Sequence, residues 1–132
     1  IGIALGQVFK QAFGTKAGLN RMWSHAWDGV EITMDLSNRP CLTSNLQLET
    51  QEYVLDQDHA LTTEMTHHFF ESLVVNAGMT VHIVDETTTT DVTMLHRVKA
   101  CAKAFGTCLY MCSAVDPRRA GKTASSKGTL SV

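Results

Sequence analysis

The stretch GVEITMDLSNRP, residues 29–40, decides the fold of this chain. Residues 30–36 alternate apolar and polar side chains, which is the period of a β-strand with one buried face. Residues 37–40, SNRP, then supply the side chains of a turn. A second strand is predicted from Cys41 to Leu48, where the leucines share a side. We expect the two strands to form an antiparallel hairpin.

The segments on either side of this hairpin alternate between helical and extended patterns. Apolar residues recur at helical spacing before Gly14 and again before Gly78, and glycine is a common residue at the end of a helix. The predicted order is a helix, then ββαβα: a helix over 1–13, the two strands, a helix over 61–77, a strand over 79–84 and a helix over 91–112. Ile1, Leu5, Val8 and Ala12 are predicted to form the buried face of the first helix. The fold class is therefore α+β, with an antiparallel or mixed sheet and helices on one face.

Composition limits the functions that this chain can have. Its 132 residues suit one domain, predicted to cover 1–132, and 44% hydrophobic with 18% charged residues is ordinary for a globular protein. The formal charge of −2 argues against a nucleic-acid or anionic membrane partner. No apolar run is long enough for a membrane span.

Neither the cysteines nor the histidines form a metal-ligand pattern. Cys101, Cys108 and Cys112 share one helical stripe and are predicted to be core residues, while Cys41 stands apart. The spacing indicates neither a disulfide framework nor a zinc site, so a reducing compartment is expected. His67 and His68 point about 100° apart on a helix and cannot chelate one ion as an i, i+4 pair would.

Four short motifs together resemble imidazoleglycerol-phosphate dehydratases: GIALGQ at 2–7, DLSNRP at 35–40, HFFESL at 68–73 and SSKG at 125–128. The resemblance implies a fold of two ββαβα repeats, assembled into large particles with active sites at subunit interfaces. By this likeness, residues 1–14 close a first repeat whose strands are absent, 29–112 form the second repeat, and 113–132 form a basic tail. Other protein chains are expected to cover the missing repeat.

The same resemblance implies a manganese motif, Gly-x-Asn-x-His-His-x-x-Glu-Ala-x-Phe-Lys-Ala, anchored here on Lys99-Ala100. Counting back, the histidine positions are Asp91 and Val92, and the glutamate position is Leu95. Valine and leucine have no donor atoms, so these degenerate positions predict no metal and no cofactor. In the family, dehydration needs metal ions that stabilise the activated imidazole ring. The chain is therefore predicted to have no catalytic residues.

The phosphate-binding residues implied by the resemblance are Arg39, Ser125 and Lys127. A guanidinium fork, a hydroxyl and an ammonium suit a phosphorylated small molecule. The alternative is that these residues only pack the turn and the tail.

Residues 23–29, WSHAWDG, are predicted to form a short loop where the family has a longer one. If Trp23 and Trp27 are exposed there, they are predicted to anchor a partner interface. If they are buried, they fill space left by the shorter loop.

These observations predict a degenerate, non-catalytic accessory or structural subunit of a larger complex. An organelle, a plastid or mitochondrion, is the expected location, and a photosynthetic or respiratory complex the expected setting. Two alternatives remain: a manganese-dependent imidazoleglycerol-phosphate dehydratase of histidine biosynthesis, and a binding module for a phosphorylated metabolite.

Overall fold

A computed structural model describes residues 1–48, 53–54, 61–87 and 92–130. Within these ranges, three α-helices and a four-stranded mixed sheet confirm the predicted α+β class. The elements are α1 (Gly2–Phe13), β1 (Met22–Trp27), β2 (Val30–Asp35), β3 (Cys41–Ser44), α2 (Thr63–Ala77), β4 (Thr80–Asp85), α3 (Met94–Ser113) and a 3₁₀ helix (Pro117–Arg119). In the part of the chain so described, no helix is both long and apolar enough to cross a membrane.

The strand order is β1-β2-β4-β3. β1 and β2 form an antiparallel hairpin that turns at Asp28 and Gly29, with φ angles of 45° and 80°. Two successive positive φ angles are those of the tight turn that matches the twist of paired strands. β4 pairs antiparallel with β2 and parallel with β3.

The predicted hairpin between residues 29–36 and 41–48 is wrong. β4 lies between these two strands, and the partner of β2 is Met22–Trp27, the segment predicted to be a loop. β3 also ends at Ser44 rather than Leu48. An alternating pattern identifies a strand but not its neighbour, whereas the Asp28-Gly29 pair between β-forming residues was the local signal for the true hairpin.

The core lies between one sheet face and the helices α2 and α3. Val30, Ile32 and Met34 of β2 have no exposed surface, and they meet buried side chains of both helices. The three cysteines of α3 are buried, free thiols, as predicted. Burial raises the pKa of the Cys101 thiol to about 12, so it stays protonated.

Helix α1 packs on α2 through its glycines. A Cβ atom added at Gly2 would lie 2.8 Å from the carbonyl of Phe69, and one added at Gly6 would lie 2.7 Å from the carbonyl of Leu73. The predicted buried face of α1 is therefore wrong: Ile1 and Val8 are 95% and 58% exposed. A hydrophobicity pattern gives no weight to glycine, although glycine allows two helix backbones to approach closely.

The far end of β4 carries a buried ion pair. Asp85 and Arg97 have side chains 0% and 7% exposed, with 2.9 Å between the carboxylate Oδ2 and the guanidinium. The same carboxylate accepts hydrogen bonds from the amides of Gln47 and Thr87. Burial alone raises a carboxyl pKa, but the hydrogen bonds from Thr87, Gln47 and Arg97 outweigh it, so the pKa of Asp85 lies below its ordinary 3.8.

The close contact at Gly6 predicts opposite effects for two glycine-to-alanine changes. Gly6→Ala should lower the free energy of unfolding by about 1–2 kcal/mol, because overpacking against the α2 backbone outweighs the gain in helix propensity. Gly106→Ala is the matched control, since no atom lies within 4 Å of an added Cβ there. It should raise the free energy of unfolding by about 0.5–1 kcal/mol. Urea unfolding measures both, and stabilisation by both changes would contradict the packing described.

The buried ion pair predicts a large loss of stability on removing one partner. Asp85→Ala leaves the Arg97 guanidinium without its carboxylate and should cost about 3–5 kcal/mol in urea unfolding. Glu71→Ala is the control, because Glu71 and its ion-pair neighbour, His68, are both exposed and their contact is long, at 3.9 Å. The effect of this change on the free energy of unfolding should stay within about 0.5 kcal/mol. Equal effects of the two changes would show that the pair contributes little.

The depressed pKa of Asp85 also predicts the acid side of the stability curve. Because the folded-state pKa is lower than the unfolded value, the stabilisation is complete above pH 3.8 and is lost as the pH falls through the folded-state pKa. The decline in unfolding free energy below pH 4 should therefore be shallower in Asp85→Ala than in the parent chain.

Candidate functional site

The turn that carries Arg39 crosses the start of β4. Thr80 pairs with Asp35 of β2 on one side and with Cys41 of β3 on the other. The Thr80 hydroxyl donates to the Arg39 carbonyl at 2.8 Å, and the Arg39 amide donates to the Ser37 hydroxyl at 3.0 Å. The Arg39 backbone is thus fixed at the sheet end while its side chain is exposed.

Ser125 and Lys127 lie in a tight turn of the tail. The Lys127 amide donates to the Ser125 hydroxyl at 3.2 Å, and the Gly128 amide donates to the Ser125 carbonyl at 3.0 Å. Gly128 has a φ of 75°, which glycine adopts without strain. The turn leaves the Lys127 side chain exposed, and the Ser125 hydroxyl keeps its own hydrogen to donate.

Arg21 holds the near end of this tail against the sheet. Its guanidinium donates to both oxygens of Asp35 at 2.7 and 2.9 Å, and to the Ala124 carbonyl at 2.6 Å. The hydrogen bond to Asp35 raises the pKa of Arg21 above its usual value. Ala124 directly precedes Ser125, so this contact places the serine beside the end of β2.

Asn38 holds the far end of the tail. Its side-chain amide donates to the carbonyl of Leu130, whose side chain is buried. Because Asn38 directly precedes Arg39, the tail and the turn are neighbours. The structure therefore brings the three residues predicted to bind phosphate, Arg39, Ser125 and Lys127, to the same end of the sheet.

The tail's other cations are arranged differently. Arg118 and Arg119 approach the Asp116 carboxylate at 2.9 and 3.8 Å. The hydrogen bonds from Arg118 lower the pKa of Asp116 to about 2, so this carboxylate is charged and offsets part of their positive charge. Lys127, by contrast, lies in the turn beside Ser125.

Lys16, Arg21 and Asn38 are structural contributors that the sequence did not reveal. Lys16 is 2% exposed and donates to the side-chain oxygen Oδ1 of Asn38. Burial, followed by the nearby charge of Lys10, lowers the pKa of Lys16. All three residues have a positive φ, and no pattern of hydrophobicity in the sequence encodes this backbone angle. Their partners lie far away along the chain.

The described positions predicted to correspond to the metal motif, Val92 and Leu95, lie at the start of α3. Thr93 caps this helix by accepting a hydrogen bond from the His96 amide at 3.1 Å. Leu95 packs on a small apolar cluster of Leu48, Val54 and Met94. Val92 and Leu95 supply no donor atoms, and Asp91 lies outside the described residues. Within the ranges given above, no three His, Cys, Asp or Glu side chains are grouped to hold a metal ion.

Trp23 and Trp27 lie in strand β1 rather than in the predicted loop. Their register partners, Met34 and Val30, are buried, so both indoles are on the side of the sheet that faces α3. They are nevertheless 41% and 43% exposed, because β1 is the edge of the sheet. The Lys103 ammonium lies 5.1 Å from the Trp27 ring centroid, a cation–π contact. Their role as interface anchors stays a prediction.

Comparison with known proteins supplies the family. A family model described as imidazoleglycerol-phosphate dehydratase matches residues 1–109. The imidazoleglycerol-phosphate dehydratase of Parasynechococcus marenigrum is 37% identical over 98% of this chain, which covers 62% of that protein. Imidazoleglycerol-phosphate dehydratase 1, chloroplastic, of Arabidopsis thaliana is 36% identical over 99% of this chain, which covers 47% of that protein. The chain thus spans less than two thirds of the length of these relatives.

Solved structures agree with the sequence comparison. The imidazoleglycerol-phosphate dehydratase of Staphylococcus aureus superposes with a TM-score of 0.73 and 27% identity, over 87% of this chain and 65% of that one. The structure from Pyrococcus furiosus has a TM-score of 0.69 over 96% of this chain and 66% of that one; at 21% identity it supports the fold alone.

The prediction of a degenerate, non-catalytic accessory subunit is wrong. Relatives 34–37% identical over almost the whole chain carry the name of the enzyme, which favours the alternative prediction of a dehydratase. Changes at three positions of one motif do not outweigh similarity that extends over almost the whole chain. The family-model match over residues 1–109 and these relatives together establish that the chain belongs to the imidazoleglycerol-phosphate dehydratase family.

Proposed function

We propose that this chain is part of an imidazoleglycerol-phosphate dehydratase, a lyase that removes water from imidazoleglycerol phosphate, and that it binds the phosphate group of this substrate. The observation that carries the proposal is the docking of the tail on the turn, through the contacts of Arg21 with Ala124 and of Asn38 with Leu130. These contacts hold Ser125 and Lys127 at the sheet end where Arg39 is exposed.

The chemistry of these side chains suits a phosphate monoester. A guanidinium can donate two parallel hydrogen bonds to phosphate oxygens, a lysine adds a mobile positive charge, and a serine hydroxyl adds a neutral donor. The phosphate does not react in a dehydration. Its binding energy therefore serves to orient the glycerol chain, which is a common use of a non-reacting group.

Val92 and Leu95, which stand where the resemblance predicts metal ligands, do not fit manganese. Manganese prefers imidazole and carboxylate ligands, and Val92 and Leu95 provide neither. We assign no step of the reaction to a metal ion held at these positions. The proposed role of the described residues is substrate binding and orientation.

The proposal predicts which cations set the apparent affinity for substrate. Arg39→Ala and Lys127→Ala should each raise KM for imidazoleglycerol phosphate by about 10-fold to 100-fold, because each removes a charged hydrogen-bond donor to phosphate. Turnover is measured as loss of substrate and appearance of a product lighter by one water. The same variants should weaken the binding of inorganic phosphate, measured by calorimetry.

Arg118→Ala is the matched control, since its guanidinium is 87% exposed and pairs with Asp116. It should change KM by less than about twofold. Unchanged KM in Arg39→Ala would refute the phosphate assignment. Phosphate binding without any turnover, with or without added manganese, would favour the alternative of a binding module for a phosphorylated metabolite.

A further inference from the structure

A buried lysine lies beneath the phosphate-binding residues just proposed. Lys16 follows α1, with a φ of 62° and an amide that donates to the Phe13 carbonyl at 2.8 Å. Its side chain is 2% exposed, an uncommon position for lysine, which is buried only where a partner accepts its hydrogen bonds. The burial of this ammonium therefore calls for a specific structural reason.

The partner of this ammonium is the side chain of Asn38. Lys16 Nζ donates to Asn38 Oδ1, and Asn38 Nδ2 donates to the carbonyl of Leu130. Lysine has donors only, so it must face the oxygen of the amide. The amide nitrogen is thereby directed at Leu130. Lys16 thus decides which way the Asn38 side chain points.

The surroundings of Asn38 leave it little freedom. A Cβ atom at Gly78 would lie 3.1 Å from Asn38 Oδ1 and 3.5 Å from its Cα, so any other residue there would crowd the asparagine. Asn38 itself has a φ of 57°, in the left-handed region that asparagine tolerates better than most residues. The asparagine is held from both sides, by Gly78 and by Lys16.

We propose that Lys16 is a positioning residue for the phosphate site: through Asn38 it fixes the tail at Leu130, and so holds Ser125 and Lys127 beside Arg39. This inference rests on the proposed phosphate binding. Arg21 anchors the other end of the same segment, at the Ala124 carbonyl.

A segment anchored at both ends loses little conformational entropy when a ligand binds. Residues 125–129 lie between the two anchors, and only five residues separate Ala124 from Leu130. Without the Lys16–Asn38 contact, residues 125–129 would have to become ordered when phosphate binds, and the entropy lost would weaken the binding. Lys16 therefore strengthens phosphate binding without contacting the phosphate.

The test compares Lys16→Met with Lys10→Met. Methionine keeps most of the apolar length of the side chain and removes its charge and its hydrogen bond. Lys10 is an exposed lysine of α1, so its replacement makes the same change in net charge without touching Asn38. Lys16→Met should weaken the binding of inorganic phosphate about tenfold, while Lys10→Met should change it less than about twofold.

Two further measurements separate positioning from a general loss of stability. Exchange of the Gly128 amide hydrogen, which is bonded to the Ser125 carbonyl, should be about tenfold faster in Lys16→Met while core amides of β2 stay protected. Asn38→Gly should reproduce both effects, because glycine accepts the φ of 57° but makes neither hydrogen bond.

A double-mutant cycle gives the decisive outcome. In a background of Ser125→Ala with Lys127→Ala, the further change Lys16→Met should weaken phosphate binding by less than about twofold, because the residues that it positions are gone. An undiminished tenfold loss in that background, or Gly128 exchange unchanged by Lys16→Met, would overturn the inference. If the parent chain binds no phosphate but Lys16→Met still accelerates Gly128 exchange, the proposed function fails and the positioning role stands.

Discussion

The pairing of β2 with β4 is the contact on which the rest of this structure depends. It places the buried faces of the two central strands side by side, and it makes α2 and α3 necessary to cover them. It also separates β2 from β3. The chain must therefore cross the start of β4 between Asp35 and Cys41, and that crossing is the turn that carries Arg39. The candidate site exists at this end of the sheet because a strand distant in sequence occupies its centre.

Positive charge has two distinct uses at this end of the molecule. Lys16 and Arg21 lie largely within the protein, where they donate to side-chain amide, carboxylate and backbone oxygens that connect the tail to the sheet. Arg39 and Lys127 are exposed on the segments so held, where they can meet an anion. Under the proposed function, the buried cations stabilise the structure and the exposed cations bind the ligand, which agrees with the high cost of burying a charge without a partner.

The opposite end of β4 contrasts with this arrangement. There the ion pair of Asp85 and Arg97 is buried, Thr93 caps α3, and Leu95 joins an apolar cluster. The described positions predicted to correspond to the metal motif, Val92 and Leu95, lie at this helix start. Similarity to the imidazoleglycerol-phosphate dehydratases extends over nearly the whole chain, and so includes both ends of β4.

The α+β class, the three helices, strands β2, β3 and β4, the buried cysteines and the candidate phosphate residues could be predicted from the sequence, because periodicity and short motifs are local properties. Strand β1 was predicted to be a loop. The pairing of β2 with β4, the packing of α1 through Gly2 and Gly6, and the Lys16–Asn38–Leu130 contacts could not be predicted. They join residues that are far apart along the chain, and they depend on which surfaces are brought within hydrogen-bonding distance. The sequence pattern indicates the secondary structure and burial that each residue favours. Only the folded backbone determines which distant oxygen a buried ammonium can reach.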